Sequence, residues 1–491
     1  MKRILHSVLL FILLIMLNSC LPVSAEYDLD WTKAIGGPRY DTGSSLLQTP
    51  DAGYIIVGGT NSTGAGKNDV YLVRTDRYGN PKWNKTYGGP QGDGCGSIIS
   101  TSDNCYILVG ITRSFGAGKN DVYMLKVAND GTLLWSKTFG GVEDDEGRRV
   151  IETSDDGFLI VGVTWSFGAG QSDVYLVKTD HNGNLLWSKT YGDVESNECF
   201  DIVSSGDGGY VICGKTRTGL GDYNGYLIKI DSSGNQLWSN TYGLAGESES
   251  AHSLVKSRDG GYAIMGTTSE GAGNAYWLLK TDSVGNEQWT KTHDTIMDDQ
   301  GTDLVQINDG YMLIGISESP TIVYYDVWIV RTDKQGNQMW TKHIGTSKED
   351  MGASIIKTSD GGLAITGLTD WEFWDPDRGD LYLIKLKGPP HTPPKFSGVI
   401  FFQKGATYTD SVRFTLSLRK MNKTRGRSNF NLTIIDSEGK QVFYRSCSIK
   451  QSTNWYTFYL NKTPFDLGEY TITAIADTWN TTKKIDLTEP R

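Results

Sequence analysis

Seven polar residues recur at one point of a repeated phrase: Asp41, Asp93, Asp145, Asn197, Glu249, Asp299 and Asp350. Each stands five positions before two consecutive apolar residues, from Leu46-Leu47 to Ile355-Ile356. Gathered in a ring, six carboxylates would focus negative potential and take Ca²⁺ or a cationic group. Aspartate also accepts hydrogen bonds from the turn that leads into a strand, and recurrence in every repeat is what that structural role produces. A second concentration is Asp370-Trp-Glu-Phe-Trp-Asp-Pro-Asp377, where Trp371 and Trp374 stand among carboxylates. Aromatics beside carboxylates suit sugar stacking or a protein partner; a plug packed between neighbouring repeats is the alternative. No catalytic residue is assigned. No histidine recurs near a candidate nucleophile and no G-x-S-x-G occurs. The enzymatic alternative is a glycoside hydrolase or lyase using two carboxylates, such as Asp370 or Asp375 with Glu249.

The elements that must position these residues are written in the repeat itself. Trp31, Trp83, Trp135, Trp187, Trp238, Trp289 and Trp340 each open a similar phrase, at spacings of 52, 52, 52, 51, 51 and 51 residues. Each unit holds four strand-like runs, and no helical period persists. Asp76 to Asn80 recurs at Asp180, Asp231, Asp282 and Asp333. An aspartate that bonds the backbone ahead, followed by a glycine able to take positive φ, closes a hairpin. Ser-Asp-Gly-Gly at 359–362 and its variants serve the first two strands likewise. The paired apolar residues point to opposite faces of a strand, so both faces must be covered. Seven four-stranded units stacked in a ring satisfy that, and they define a seven-bladed β-propeller. The seventh unit stops at its third strand, Asp380 to Leu386, whereas an extra fourth-strand phrase sits at Trp31. The N-terminal strand is therefore expected to close the last blade. Loop parity places the acidic residues on the same face as the second-to-third-strand loops. Those loops carry Phe115, Trp165, Phe167, Tyr324, Tyr325 and the Trp371–Trp374 segment.

Composition agrees. With 59 glycines in 491 residues, 38% hydrophobic and 21% charged, the chain is neither disordered, collagen-like nor a multi-span membrane protein. Lys2 and Arg3, the apolar run Val8–Leu17 and Val23-Ser24-Ala25 read as a signal peptide over residues 1–25. Leu17-Asn18-Ser19-Cys20 loosely matches a lipoprotein box, and no later segment is long and apolar enough for a spanning helix. Cys95, Cys105, Cys199, Cys213 and Cys447 remain after cleavage; Cys199 and Cys213, on adjacent strands of one hairpin, are the candidate bridge. Glycosylation sequons stand at Asn61, Asn84, Asn422, Asn431, Asn461 and Asn480. Residues 26–394 carry a net charge of −19 and residues 395–491 a net of +7. Arg419, Lys420, Lys423, Arg425 and Arg427 crowd one polar stretch, which suits either a solvated loop or an anionic surface polymer. No nucleic-acid-binding module is recognisable.

The phrases W-x-K-T-[YF]-G-G, S-D-G-G-Y and D-V-Y-L-V-K-T-D-x-x-G-N over residues 31–386 resemble exported prokaryotic β-propeller repeat proteins. That resemblance implies the fold and no activity. The D-x-x-G-N-x-x-W segment is similar to the tryptophan motif of quinoprotein dehydrogenases, which have eight blades and often a vicinal cysteine pair. Neither is present in this sequence. LGEYTITAIADTW resembles the late strands of immunoglobulin-like sandwiches. The expected organisation is a signal peptide (1–25), a seven-bladed propeller closed by its N-terminal strand (26–387), a proline-rich linker (388–395) and an immunoglobulin-like β-sandwich (396–491). The expected role is non-enzymatic binding or scaffolding, secreted or at the cell surface. Its partner would be a polysaccharide or protein held on one propeller face. No cofactor is expected, and Ca²⁺ is the one metal the acidic ring would suit.

Overall fold

The computed structural model describes residues 27–388, apart from 219–220, 244–245, 270–272, 296–297, 319–323, 373–374 and 376, and the backbone of seven segments between 396 and 487. The leader at 1–25, Cys20, Trp374, the linker residues 389–395, Asn422, Lys423, Arg425 and Arg427 lie outside the described residues. The chain divides into two compact units, residues 1–389 and 390–491. Among the described residues run thirty-five strands, numbered β1 to β35 in chain order, and no helix.

The first unit is seven four-stranded antiparallel sheets. Blade 1 is β2 (Asp41–Gln48), β3 (Tyr54–Thr60), β4 (Asp69–Thr75) and β5 (Pro81–Tyr87), paired in that order. The next five blades repeat it. The first strands are β6 (Asp93–Ser100), β10 (Asp145–Glu152), β14 (Asn197–Ser204), β18 (Glu249–Lys256) and β22 (Asp299–Ile307) in blades 2 to 6, and β26 (Glu349–Lys357) in blade 7. Each touches the first strand of the next blade, and β26 touches β2, so seven inner strands encircle an axial channel. Blade 7 continues with β27 (Leu363–Trp371) and β28 (Asp380–Lys387), and its outer strand is β1 (Asp28–Ile35). Trp31 pairs with Lys385 and Ile35 with Leu381, so the chain ends of the ring are stitched in one sheet.

Burial follows from stacking. The second and third strands of blade 1, YIIVGGT and DVYLVRT, are buried at every position, because each face meets a neighbouring blade. Leu46 packs with Ala364 and Leu381 of blade 7, while its neighbour Leu47 packs with Tyr106 and Leu108 of blade 2. Outer strands have a neighbour on one edge only and keep exposed residues, Pro81, Lys82, Asn84 and Lys85 in blade 1. The repeated tryptophan joins blades. Gly183 has φ +74° in the hairpin of blade 3, and a Cβ there would come within 2.7 Å of the Trp135 ring of blade 2. At the closing seam that hairpin is split, and Tyr27 joins the core against which Trp340 packs; Lys342 Nζ reaches the Tyr27 carbonyl at 3.3 Å.

The cysteine bridge expected in blade 4 is not formed: Cys199 and Cys213 are both free and buried. They are on paired strands, yet Cys213 is opposite Asp201 and Cys199 opposite Gly214. Cys199 faces blade 3, among Val161 and Leu176, and Cys213 faces blade 5, among Leu254 and Ile264. Two thiols on opposite faces of a sheet cannot meet without moving the backbone.

The second unit holds β29 (Phe396–Phe401), β30 (Ser411–Lys420), β31 (Ser428–Asp436), β32 (Gln441–Ile449), β33 (Trp455–Asn461), β34 (Gly468–Ala476) and β35 (Trp479–Leu487). They pair as a three-stranded sheet, β29-β30-β33, and a four-stranded sheet, β32-β31-β34-β35. Asn431, Asn461 and Asn480 fall on β31, β33 and β35, and Arg419 and Lys420 on β30.

Candidate functional site

The seven residues Asp41, Asp93, Asp145, Asn197, Glu249, Asp299 and Asp350 stand at the heads of the inner strands, one per blade, each no more than 2% exposed. Their oxygens serve loops. Asp93 accepts from Gly89 N at 2.8 Å, from Ser114 Oγ at 2.6 Å and from Thr112 Oγ1. Asp41 holds Gly37 N and Ser62 Oγ, and Asp145 holds Gly141 N and Ser166 Oγ. Asn197 accepts from Thr216 Oγ1, Glu249 from Thr268 Oγ1, Asp299 from Thr295 N and Asp350 from Thr346 N. In blades 1 to 3, one carboxylate thus ties the loop entering its strand to the loop between strands two and three.

A second carboxylate joins the first across a glycine. A Cβ on Gly88 would lie 2.2 Å from Asp69 Oδ1 and 2.7 Å from Asp93 Oδ2, and Gly36 stands likewise between Asp380 and Asp41. Burial, and then the neighbouring Asp93, raises the pKa of Asp69; burial, Asp41 and Asp370 raise that of Asp380. Burial also raises Asp299, Asp350 and Glu349. Among the described residues no group of three or more His, Cys, Asp or Glu side chains is placed to hold a metal ion.

In the blade-7 loop, Trp371 is half-buried and ends β27 opposite Glu349. Asp370 takes a left-handed conformation (φ 58°) and accepts from Thr346 Oγ1 at 3.2 Å. Glu372 pairs with Lys348 at 2.9 Å and Asp375 with Arg378 at 3.0 Å. Phe115, Trp165, Phe167 and Tyr324 on the same face are 39–45% exposed. Phe115 and Phe167 rest against Tyr123 and Tyr175 of their own blades. Asn84 is exposed on β5 and Asn61 half-buried in the loop after β3.

Residues that the repeat pattern did not single out form the least symmetric part of the molecule. Every inner strand carries a bulge three residues after its acidic or amide position: Ser44, Gly96, Arg148, Phe200, His252, Thr302 and Ala353. A bulge re-aims a side chain. An inner strand has a blade on each side and strand two behind it, so the exposed part of a half-buried bulge residue faces the channel. Blades 3 to 5 carry large groups there. The Arg148 guanidinium lies 5.3 Å from the Phe200 ring centre, and Phe200 meets His252 edge-on at 5.1 Å. Arg148 pairs with Glu146 at 2.7 Å, and Lys215 pairs with Glu198 at 3.2 Å while lying over Tyr223. His252 Nδ1 donates to Gly301 O at 2.6 Å, so its Nε2 accepts from Ser250 Oγ at 2.7 Å. Burial, with Lys215 and Arg148 nearby, lowers the His252 pKa against the pull of that carbonyl, which keeps the ring neutral near pH 7.

One residue deeper, Arg149 bonds Asp201 at 3.0 Å, and Ser253 Oγ lies 3.2 Å from Asp201 and 2.7 Å from Asp303. Asp303 also accepts from Ser354 Oγ and Ile355 N, so this network links blades 3 to 7 at mid-channel. Its signal was legible: the fourth residue after each acidic or amide position reads Ser, Ser, Arg, Asp, Ser, Asp, Ser, and only aligning that column exposes it.

The fold and this site define a seven-bladed β-propeller with a blade-specific channel wall. No family model matches the chain. A 205-residue stretch is 22% identical to the regulatory protein FlaEY of Caulobacter vibrioides, covering 36% of this chain. The match spans 21% of the length of that curated relative. Among solved structures the chain is similar to Sqt1 from Chaetomium thermophilum, at 14% identity and a TM-score of 0.41, over 70% of this chain and 83% of that one. It is also similar to the Pyrococcus horikoshii acylaminoacyl peptidase, at 12% identity and a TM-score of 0.41, over 77% and 58%.

Proposed function

We propose that this is an exported, cell-surface binding or scaffolding protein that recognises a glycan or protein partner on the propeller face bearing the second-to-third-strand loops. In this reading residues 1–25 direct export, and residues 396–491 form an immunoglobulin-like module. The observation that carries it is the contrast on this one face. Positions of acidic or amide type in every blade accept hydrogen bonds from their own blade's backbone and hydroxyls, whereas Arg148, Phe200, Lys215, His252 and the Trp371 loop differ from blade to blade. Selection for folding alone repeats a residue; recognition of one partner does not. The test is a glycan and polymer binding screen of the full chain, with and without Ca²⁺, against the double variant Trp371→Ala/Trp374→Ala. Loss of a ligand in the variant supports the loop as part of the surface, and identical profiles remove the loop from it.

A further inference from the structure

The channel wall of blades 3 to 5 has a composition that selects among ligands. Its accessible groups alternate in sign: Glu146 with Arg148, then Glu198 with Lys215, each pair in contact and a sixth to a third exposed. Phe200 and the neutral His252 complete it. The two ion pairs cancel, and Asp145, Glu249 and the Arg149–Asp201 pair on the same strands add no net positive charge, so an anion entering the channel gains no attraction from this wall. Hydroxyl groups gain from both signs, because each O–H donates to a carboxylate and its oxygen accepts from a guanidinium or ammonium. Such charge-assisted bonds are the stronger kind.

The rest of the wall leaves room. Blades 7, 1 and 2 place Ala353, Ser44 and Gly96 where blades 3 to 5 place arginine, phenylalanine and histidine. A Cβ on Gly96 would meet only Arg148 O, at 3.6 Å, and one on Gly94 nothing nearer than 3.8 Å. Neither glycine has a positive φ. Glycine inside a strand that needs neither a turn nor close packing leaves space for an approaching ligand.

From these observations we propose that the loop-face end of the channel is a binding site for a neutral, hydroxyl-rich saccharide. The sugar hydroxyls bond Glu146, Arg148, Glu198 and Lys215, and Phe200 holds the two cations in place. The proposal rests on the reading of this face as a binding face. It is tested by calorimetry of the full chain with neutral hexasaccharides (cellohexaose, maltohexaose, mannohexaose) and with hexagalacturonate as the acidic comparator. Three single variants accompany it: Gly96→Phe, which fills the channel at a position where blade 4 already carries phenylalanine, Arg148→Gln and Glu198→Gln. The expected result is binding of a neutral hexasaccharide that changes less than twofold between 50 and 300 mM salt. Gly96→Phe should abolish it, and each glutamine variant should weaken it about tenfold or more. Preference for hexagalacturonate overturns the saccharide class. Neutral binding unaltered by Gly96→Phe, with the melting temperature of the variant unchanged, overturns the channel site while leaving a binding face at the Trp371 loop. Absence of binding to any hexasaccharide overturns the proposal, and a protein ligand lost in Trp371→Ala/Trp374→Ala would then sustain the broader reading alone.

Discussion

The two faces of the propeller treat their aspartates in opposite ways. On the hairpin face each blade supplies its own cation: Arg74, Lys126, Lys178, Lys229, Lys280, Arg331 and Lys385 end the third strands and pair with Asp51, Asp103, Asp155, Asp207, Asp259, Asp309 and Asp360. The cation side chains are at most 10% exposed and the aspartates 48–69%. Hydrogen bonds from Lys126 and Thr101 hold the Asp103 carboxyl down at about 2. At Asp155, Asp259 and Asp360 burial opposes the shift, and bonds from the lysine and the turn outweigh it. On the loop face the carboxylates come from neighbouring blades, sit beside one another and are served by neutral donors, so burial raises Asp69, Asp299, Asp350 and Asp380. The difference teaches where one solution suffices. A local ion pair can be copied into every blade, because both partners lie within one repeat. A side-chain contact between neighbouring blades along the channel wall depends on which two repeats stand together, and there the repeats diverge.

The largest expected effect comes from removing what both faces share. Deleting residues 26–38 takes away β1 and strips the outer edge of blade 7. The melting temperature should fall by more than about 10 °C, a loss of several kcal/mol for a chain of this size. An unchanged melt by calorimetry would overturn closure through the N-terminal strand.

Within the loop face, symmetric and asymmetric positions should separate. Asp93→Ala leaves buried donors at Gly89, Thr112 and Ser114 without their acceptor and should cost about 3 kcal/mol in denaturant unfolding. Arg148→Met loses a partly exposed ion pair and should cost under about 1 kcal/mol. Equal costs would erase the distinction between scaffold and wall.

A smaller effect separates the faces by pH. The Asp103 pKa lies below its unfolded value, so its contribution is complete above about pH 4 and is lost as pH falls towards 2. Asp103→Asn should therefore lower the melting temperature at pH 7 and leave it unaltered near pH 2. The Asp350 pKa lies above its unfolded value, so protonation there favours the folded state on acidification. Asp350→Asn should make the acid loss steeper, because protonation no longer offsets burial at that site. Melts at half-unit pH intervals check both signs.

The smallest effect concerns thiols. Cys95, Cys199 and Cys213 are free and buried, so a reducing agent should move the melting temperature by less than about 1 °C. A larger fall would restore a bridge to blade 4.

How much was legible follows the range of each interaction. The tryptophan spacing, the Asp-x-x-Gly-Asn hairpins and the paired apolar residues such as Leu46-Leu47 each express local physics, and from them came the blade count and the closing strand. The bulge was not legible. Shifting the register between Gly147 and Arg149 changes no residue type, yet it decides what faces the channel. The bridge between Cys199 and Cys213 failed for the same reason, since adjacency along a hairpin says nothing about which face each thiol takes. The Asp41 to Asp350 ring was found as a pattern, but its hydrogen-bond partners, such as Ser62 and Ser114, come from loops about twenty residues away.

By itself, then, the sequence determined the strands, their turns and their sevenfold recurrence, because hairpins and strand alternation are settled over a few residues. The tertiary structure alone decided which side chains share the channel. Arg148, Phe200 and His252 are 52 residues apart from one to the next and become neighbours only when the blades stand side by side around an axis.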